Sequence, residues 1–192
     1  MRCRGCIPGV LATFLVVAAC AAPDPLPPKS AAVPAGVDLT GLWTLREDSL
    51  NTNERIADAE RRAAGAGESL IPKGSQNRSR RTSDDSQVHV FLESGESLKL
   101  TQTEHGLFVS FDRAVVEEYR FGEQRTVNVG PIAADRVSGW EDGAYAIETR
   151  DKEGDMLFET YRLDSADTMI RTVRIVDDGE TTLNVRQVFD RS

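Results

Sequence analysis

The sequence predicts an all-β fold: an antiparallel up-and-down meander of about 8–10 strands, closed into a barrel, with a long insertion after the first strand. Three observations predict it. From Gln87 to Asp190 short runs alternate polar and apolar residues at period two, as half-buried strands do. Gly-bearing turns separate these runs so closely that no helical crossover fits between them, and parallel strands would need one. Beyond residue 20, every aromatic residue except Trp43 lies between Phe91 and Phe189, so that region supplies the core. Closing such a series of hairpins into a barrel also removes its exposed edges.

The N-terminus comes first. Arg2 and Arg4 precede the apolar run Ile7 to Ala19, which at 13 residues is shorter than a membrane-spanning helix of about 20 residues. Residues 1–19 therefore read as an export signal. The run ends in Val17-Ala18-Ala19-Cys20, which resembles the lipobox of bacterial lipoproteins. That resemblance implies a diacylglyceryl group on the Cys20 thiol, the membrane as a partner through that lipid anchor, and Cys20 as the new N-terminus. Ala21 at the following position implies sorting to the outer membrane of the cell, with the body in the periplasm. More than one acyl chain gives stable anchoring, whereas one binds marginally. Residues 20–37 then form a Pro-rich tether, since Ala21 to Val37 holds five of the eight prolines. Such a stretch is expected to be extended and to hold the body tens of ångströms from the bilayer at about 3 Å per residue.

Residues 38–192 are the barrel. Its first strand is the run Gly41-Leu42-Trp43-Thr44-Leu45. Residues 47–86 are a polar insertion without an aromatic residue or a valine, expected to add little to the core. Within it, residues 54–64 are rich in Ala, Glu and Arg, with Asn51 or Asn53 as cap and Gly65 as stop, a short helix. Lys73 to Ser83 holds Lys73, Arg78, Arg80 and Arg81 among small polar residues, a basic loop in an acidic chain. The strands that follow are expected at Val88 to Glu93, Ser97 to Thr101, a run through Leu107, Val109 and Phe111, Val115 to Phe121, Arg125 to Val129 and Arg136 to Glu141. Ala144 to Arg150, Met156 to Leu163, Met169 to Val176 and Leu183 to Asp190 complete the series.

The two ends of this body resemble the lipocalin superfamily. Gly41-x-Trp43 on the first strand matches its short signature, in which the tryptophan closes one barrel end under an arginine near the last strand. The resemblance makes Gly41, Trp43 and Arg186 the barrel-closing residues, with Arg191 as a second candidate for the arginine. The body is also similar to small uncharacterised exported bacterial proteins, in the hairpin Trp140-Glu141-Asp142-Gly143, the run Glu159-Thr160-Tyr161-Arg162-Leu163 and the ending Phe189-Asp190-Arg191.

Charge and cysteine content exclude several functions. Lys and Arg number 23 against 31 Asp and Glu, a net charge of −8, and loss of Arg2 and Arg4 with the signal deepens the deficit. Nucleic acid is thus not an expected partner, because binding phosphates takes a basic face. Cys3, Cys6 and Cys20 are the only cysteines, so the body has no disulfide, thiolate metal ligand or cysteine nucleophile. His89 and His105 are the only histidines, and zinc wants three or four clustered ligands. No metal and no cofactor is expected, and no Gly-rich phosphate loop precedes a helix.

Nor does a catalytic constellation stand out. Gly67-Glu68-Ser69-Leu70 and Gly95-Glu96-Ser97-Leu98 match half of a nucleophile elbow and lack its strand–turn–helix setting. Of the paired acids, Asp84-Asp85, Glu141-Asp142 and Asp177-Asp178 fall in turns or a loop. Glu117-Glu118 lies mid-strand, so one of the two points inward, near Arg120 or Arg125, as an ion pair, a ligand-orienting group or a general acid. The expected function is a non-enzymatic cell-envelope lipoprotein whose barrel binds a small apolar ligand or an envelope protein partner. Trp140, Tyr145, Phe158 and Tyr161 are candidates to line a pocket, though the pattern leaves open which face is inside. The alternative is a periplasmic enzyme, or an enzyme inhibitor using the 47–86 loop.

Overall fold

The computed structural model describes residues 24–68 and 87–192. Ten strands follow one another along the chain: β1 (Gly41–Leu45), β2 (Ser97–Gln102), β3 (Gly106–Phe111), β4 (Val115–Arg120) and β5 (Glu123–Val129) make up the first half. The second half is β6 (Ile132–Glu141), β7 (Ala144–Asp151), β8 (Met156–Ser165), β9 (Thr168–Asp177) and β10 (Glu180–Arg191). Each pairs antiparallel with its sequence neighbour, save at one place. β1 also pairs with β10, with Trp43 opposite Arg191 and Leu45 opposite Phe189. β4 and β5 do not pair and stand as the two ends of the sheet order. The result is a nearly closed antiparallel barrel, all-β as the alternation implies, with one seam between β4 and β5. Tight turns set the registers: Asp142 and Asp178, each ahead of a glycine, take positive φ in the β6–β7 and β9–β10 hairpins.

The barrel interior has three layers. At the Trp43 end, Trp43, Leu98, Leu100, Leu107, Tyr145 and Phe189 belong to one apolar cluster. At the other end, Ile56, Val88, Phe91, Leu157, Ile175 and Val185 belong to a second. Between them lie buried polar side chains, Arg136, Thr149, Glu159, Arg171 and Gln187. Much of the interior is thus occupied by the protein's own side chains, as in other small barrels.

The insertion departs from its expected form. After a single 3₁₀ turn at Glu47–Ser49, helix α1 runs over Leu50–Glu68, longer at both ends than residues 54–64 and past Gly65. Ile56 and Ala59, one turn apart on its inner face, are fully buried against the barrel end, so the segment does contribute to the core. Asn53 is within the helix rather than at its cap: its Oδ1 accepts from the Gly95 backbone N–H at 3.1 Å. Val88 to Glu93 is not a strand either. Gln87–Phe91 is a 3₁₀ helix that packs beside α1, burying Val88 and Phe91. The basic loop Lys73–Ser83 lies outside the described residues, as do Cys20 and the export signal.

From residue 24 the Pro-rich stretch is laid against the barrel rather than standing clear of it. Leu26 and Lys29 are buried. Ser30 exchanges two backbone hydrogen bonds with Trp140, N to O at 3.1 Å and O to N at 2.8 Å. Lys29 Nζ donates to Glu141 at 2.7 Å and Glu148 at 2.6 Å. The approach is so close that a Cβ on Gly139 would lie 2.6 Å from the Ser30 carbonyl oxygen. Prolines exclude a regular ladder, but a single bridge and one doubly paired lysine hold the strap on β6 and β7.

Candidate functional site

At the closed end, the arginine over Trp43 is Arg191, its guanidinium carbon 4.2 Å from the ring centroid. Arg186 is exposed on the outer face, opposite Thr172 of β9. Strand parity decides between them. Residues 183, 185, 187 and 189 of β10 point inward, and residue 191 follows that series to face Trp43, while residue 186 cannot. Arg191 Nε also donates to the Ala166 carbonyl at 2.9 Å. Trp43 Nε1 donates to the Leu39 carbonyl at 3.0 Å. Gly41 leaves room for this stack, since a Cβ there would lie 2.6 Å from Arg191 Nη1. Gly41, Trp43 and Arg191 thus pack together at this end of the barrel.

The buried middle layer holds two arginines, each set between a carboxylate and aromatic rings. Arg171 on β9 donates to Glu159 at 2.5 Å, to Gln187 at 3.2 Å and to the Glu93 carbonyl at 2.8 Å. It sits 5.0 Å from the Phe111 ring centroid. Arg136 on β6 donates to Thr149 at 3.0 Å and pairs with Glu117 of β4 at 3.4 Å. Its guanidinium lies 5.6 Å from both the Phe91 and Tyr119 ring centroids. A buried guanidinium is tolerable only when paired and hydrogen-bonded in this way.

Beside this layer, a cavity of about 360 Å³ opens at the seam. Val90, Phe91, Val127 and Val129 give it apolar walls, and Glu93, Glu117, Arg125 and Arg136 give it charge. Few side chains cross the seam. Arg125 donates to the Glu118 carbonyl at 3.1 Å, and Ser138 Oγ to the Arg120 carbonyl at 2.9 Å. Glu93 is the acid of this cavity without an ion-pair partner among the described residues. Its carboxyl is pushed up to about 7, first by burial and then by the nearby charges of Glu60, Glu117 and Glu159, with Arg171 opposing. Burial likewise raises Glu60 of α1, whose Oε2 accepts from Ser94 at 2.9 Å while Oε1 is buried without a hydrogen bond among the described residues.

Of the inward candidates, Trp140, Tyr145 and Tyr161 are buried core residues away from the cavity wall. Trp140 and Tyr145 stack edge-on with Phe121, centroids 5.4–5.6 Å apart. Phe158 is on the outer face, under the Arg174 guanidinium at 3.8 Å. Of the acidic pair, Glu117 points inward and Glu118 outward, and the partner of Glu117 is Arg136 rather than Arg120 or Arg125. His105 is exposed in the β2–β3 turn, and His89 is on the 3₁₀ turn. Among the described residues, the one carboxylate group close enough to share a cation is Asp155, Asp177 and Asp178, on the β7–β8 and β9–β10 hairpins. Asp155 already accepts the Asp178 backbone N–H at 3.0 Å.

Sequence reasoning missed Glu60, Glu93, Arg136, Glu159 and Arg171. Two of them carried a signal: Arg171 stands between Met169 and Val173, and Glu159 between Leu157 and Tyr161, each on the face of its strand that is otherwise apolar.

No protein-family model matches the chain, and no curated protein matches it. Among solved structures it is similar to a secretory abundant heat soluble (SAHS) protein from Ramazzottius varieornatus, at 11% identity over 82% of this chain and 98% of that one, with a TM-score of 0.48. It is also similar to human cRBP IV, at 13% identity over 81% and 99% with a TM-score of 0.44. SAHS protein 4 from Ramazzottius varieornatus is 13% identical over 80% and 94%, with a TM-score of 0.43.

Proposed function

We propose that this chain is a non-enzymatic cell-envelope protein, anchored by lipid on Cys20, whose barrel binds a small ligand that is at least partly apolar. The seam cavity carries the binding half of this reading. At about 360 Å³ it is at the small end of the range of ligand pockets. Four apolar side chains beside a larger polar and charged set suit an amphiphile, with its tail on Val127 and Val129 and its head toward the buried layer. The two interior arginines hold the barrel's own carboxylates, which favours a structural role for them over catalysis. The anchor, the outer-membrane address and the periplasmic setting rest on the lipobox resemblance.

Both halves have a direct test. Cys20→Ser should move the protein from the membrane pellet to the soluble fraction and remove the lipid mass from the N-terminal peptide. An unchanged pellet would refute the anchor. For binding, the full chain is titrated calorimetrically with submicellar octyl compounds. Saturable one-to-one binding of at least one is expected, and no binding of any would refute the reading.

A further inference from the structure

The charge inside the barrel is unbalanced in a way that selects the ligand's head. Two acids line the cavity, Glu93 from the turn before β2 and Glu117 from β4, and the charges of Glu60 on α1 and Glu159 on β8 also act on Glu93. Two buried guanidiniums face them, and both are taken. Arg136 pairs with Glu117, and Arg171 with Glu159. Arg125, at the rim, lies 3.5 Å from Glu123 on its own strand. Glu60 and Glu93 remain over, and of these Glu93 lines the cavity. A ligand carboxylate or sulfate entering here would meet an acid and no uncommitted guanidinium. A cation would meet Glu93, with the Phe91 side chain in the same wall.

We propose that the seam cavity takes the cationic head of a small amphiphile, an organic ammonium group held by the Glu93 carboxylate with Glu117 behind it, while the apolar part lies on Val90, Val127 and Val129. The inference rests on the binding reading above and names its ligand class. It carries a pH signature. Glu93 in the empty site has its carboxyl near 7, so an ammonium head binds the ionised form and drives off the proton. Binding therefore weakens as pH falls through that range. Glu60, Glu117, Glu159 and Arg171 set the value, and Arg136 and Arg125 share the cavity wall.

The test titrates the full chain calorimetrically at pH 8 with three submicellar probes of equal tail: octylammonium, octyl sulfate and octanol. The ammonium is expected to bind about tenfold tighter than octanol, in line with one charge-assisted contact, and the sulfate weaker than octanol. Glu93→Gln should abolish the ammonium's advantage while leaving octanol unchanged. Lowering the pH to 6 should weaken the ammonium several-fold in the parent and not in Glu93→Gln. Equal binding of all three probes, tighter binding of the sulfate, or an advantage that survives Glu93→Gln would overturn the proposal and leave the binding reading standing. Failure of all three to bind would remove both.

Discussion

Arg186 and Arg191 share one strand and take opposite roles, a difference made by parity alone. Arg191 packs over Trp43 and donates to the Ala166 carbonyl, whereas Arg186 is exposed. Replacing Arg191 by Ala should therefore cost about 1–2 kcal/mol, from the ring contact and its hydrogen bonds. Arg186→Ala should stay within about 0.5 kcal/mol of the parent. Urea midpoints of the two variants check this, and equal losses would refute the assignment. Both arginines were visible in the sequence, and the resemblance supplied the role. Parity is ambiguous in the sequence, because Val188 and Phe189 are adjacent and both apolar, and the pairing of β10 with β1 settles which side faces Trp43. The cavity residues were harder still to see. Glu93, Glu117 and Arg136 come from three separate elements, and each looks like an ordinary surface charge until the barrel brings them together.

Nine of the ten strands fell where alternation after residue 94 placed them, and the tenth is the Trp43 run. Period-two patterning is a strong local signal because one face of every strand meets the core. The helix is longer than its sequence implies for a physical reason as well. Ile56 is the one large apolar residue of 54–64 and Gly65 looks like a terminator, yet the helix spans Leu50–Glu68 and packs against β10 and the neighbouring 3₁₀ turn. Tertiary packing, not propensity, supplies most helix stability in proteins. The contact is concentrated at few residues. Ile56→Ala should lower stability by about 2–4 kcal/mol, as for other buried aliphatic truncations. A loss below about 0.5 kcal/mol would mean that α1 does not seal the barrel end. The seam was not legible at all: the sequences of β4 and β5 are as strand-like as the others, and nothing local says that two consecutive strands should part.

At the scale of the molecule, the N-terminal strap changes how the body would sit on a membrane. A stiff spacer over 20–37 implies separation by tens of ångströms. With the chain packed from Asp24 onward, an anchor on Cys20 leaves a reach of about 14 Å before the barrel begins. The strap's hold rests on Lys29 between Glu141 and Glu148. Lys29→Ala leaves those two acids together without their cation. The Ser30 and Trp140 amides should then exchange hydrogen at least tenfold faster, while the amides between β8 and β9 keep their protection. Unchanged exchange at Ser30 would refute the clamp.

The central claim is that binding takes place at the seam rather than in the barrel interior, which side chains already occupy. The most direct measurement is native mass spectrometry of the full chain purified from its own host, beside Val127→Trp, whose indole fills the cavity from β5. The account predicts a stoichiometric extra mass on the parent, beyond the lipid, that disappears in Val127→Trp. An adduct retained by the variant, or none on the parent, would contradict it.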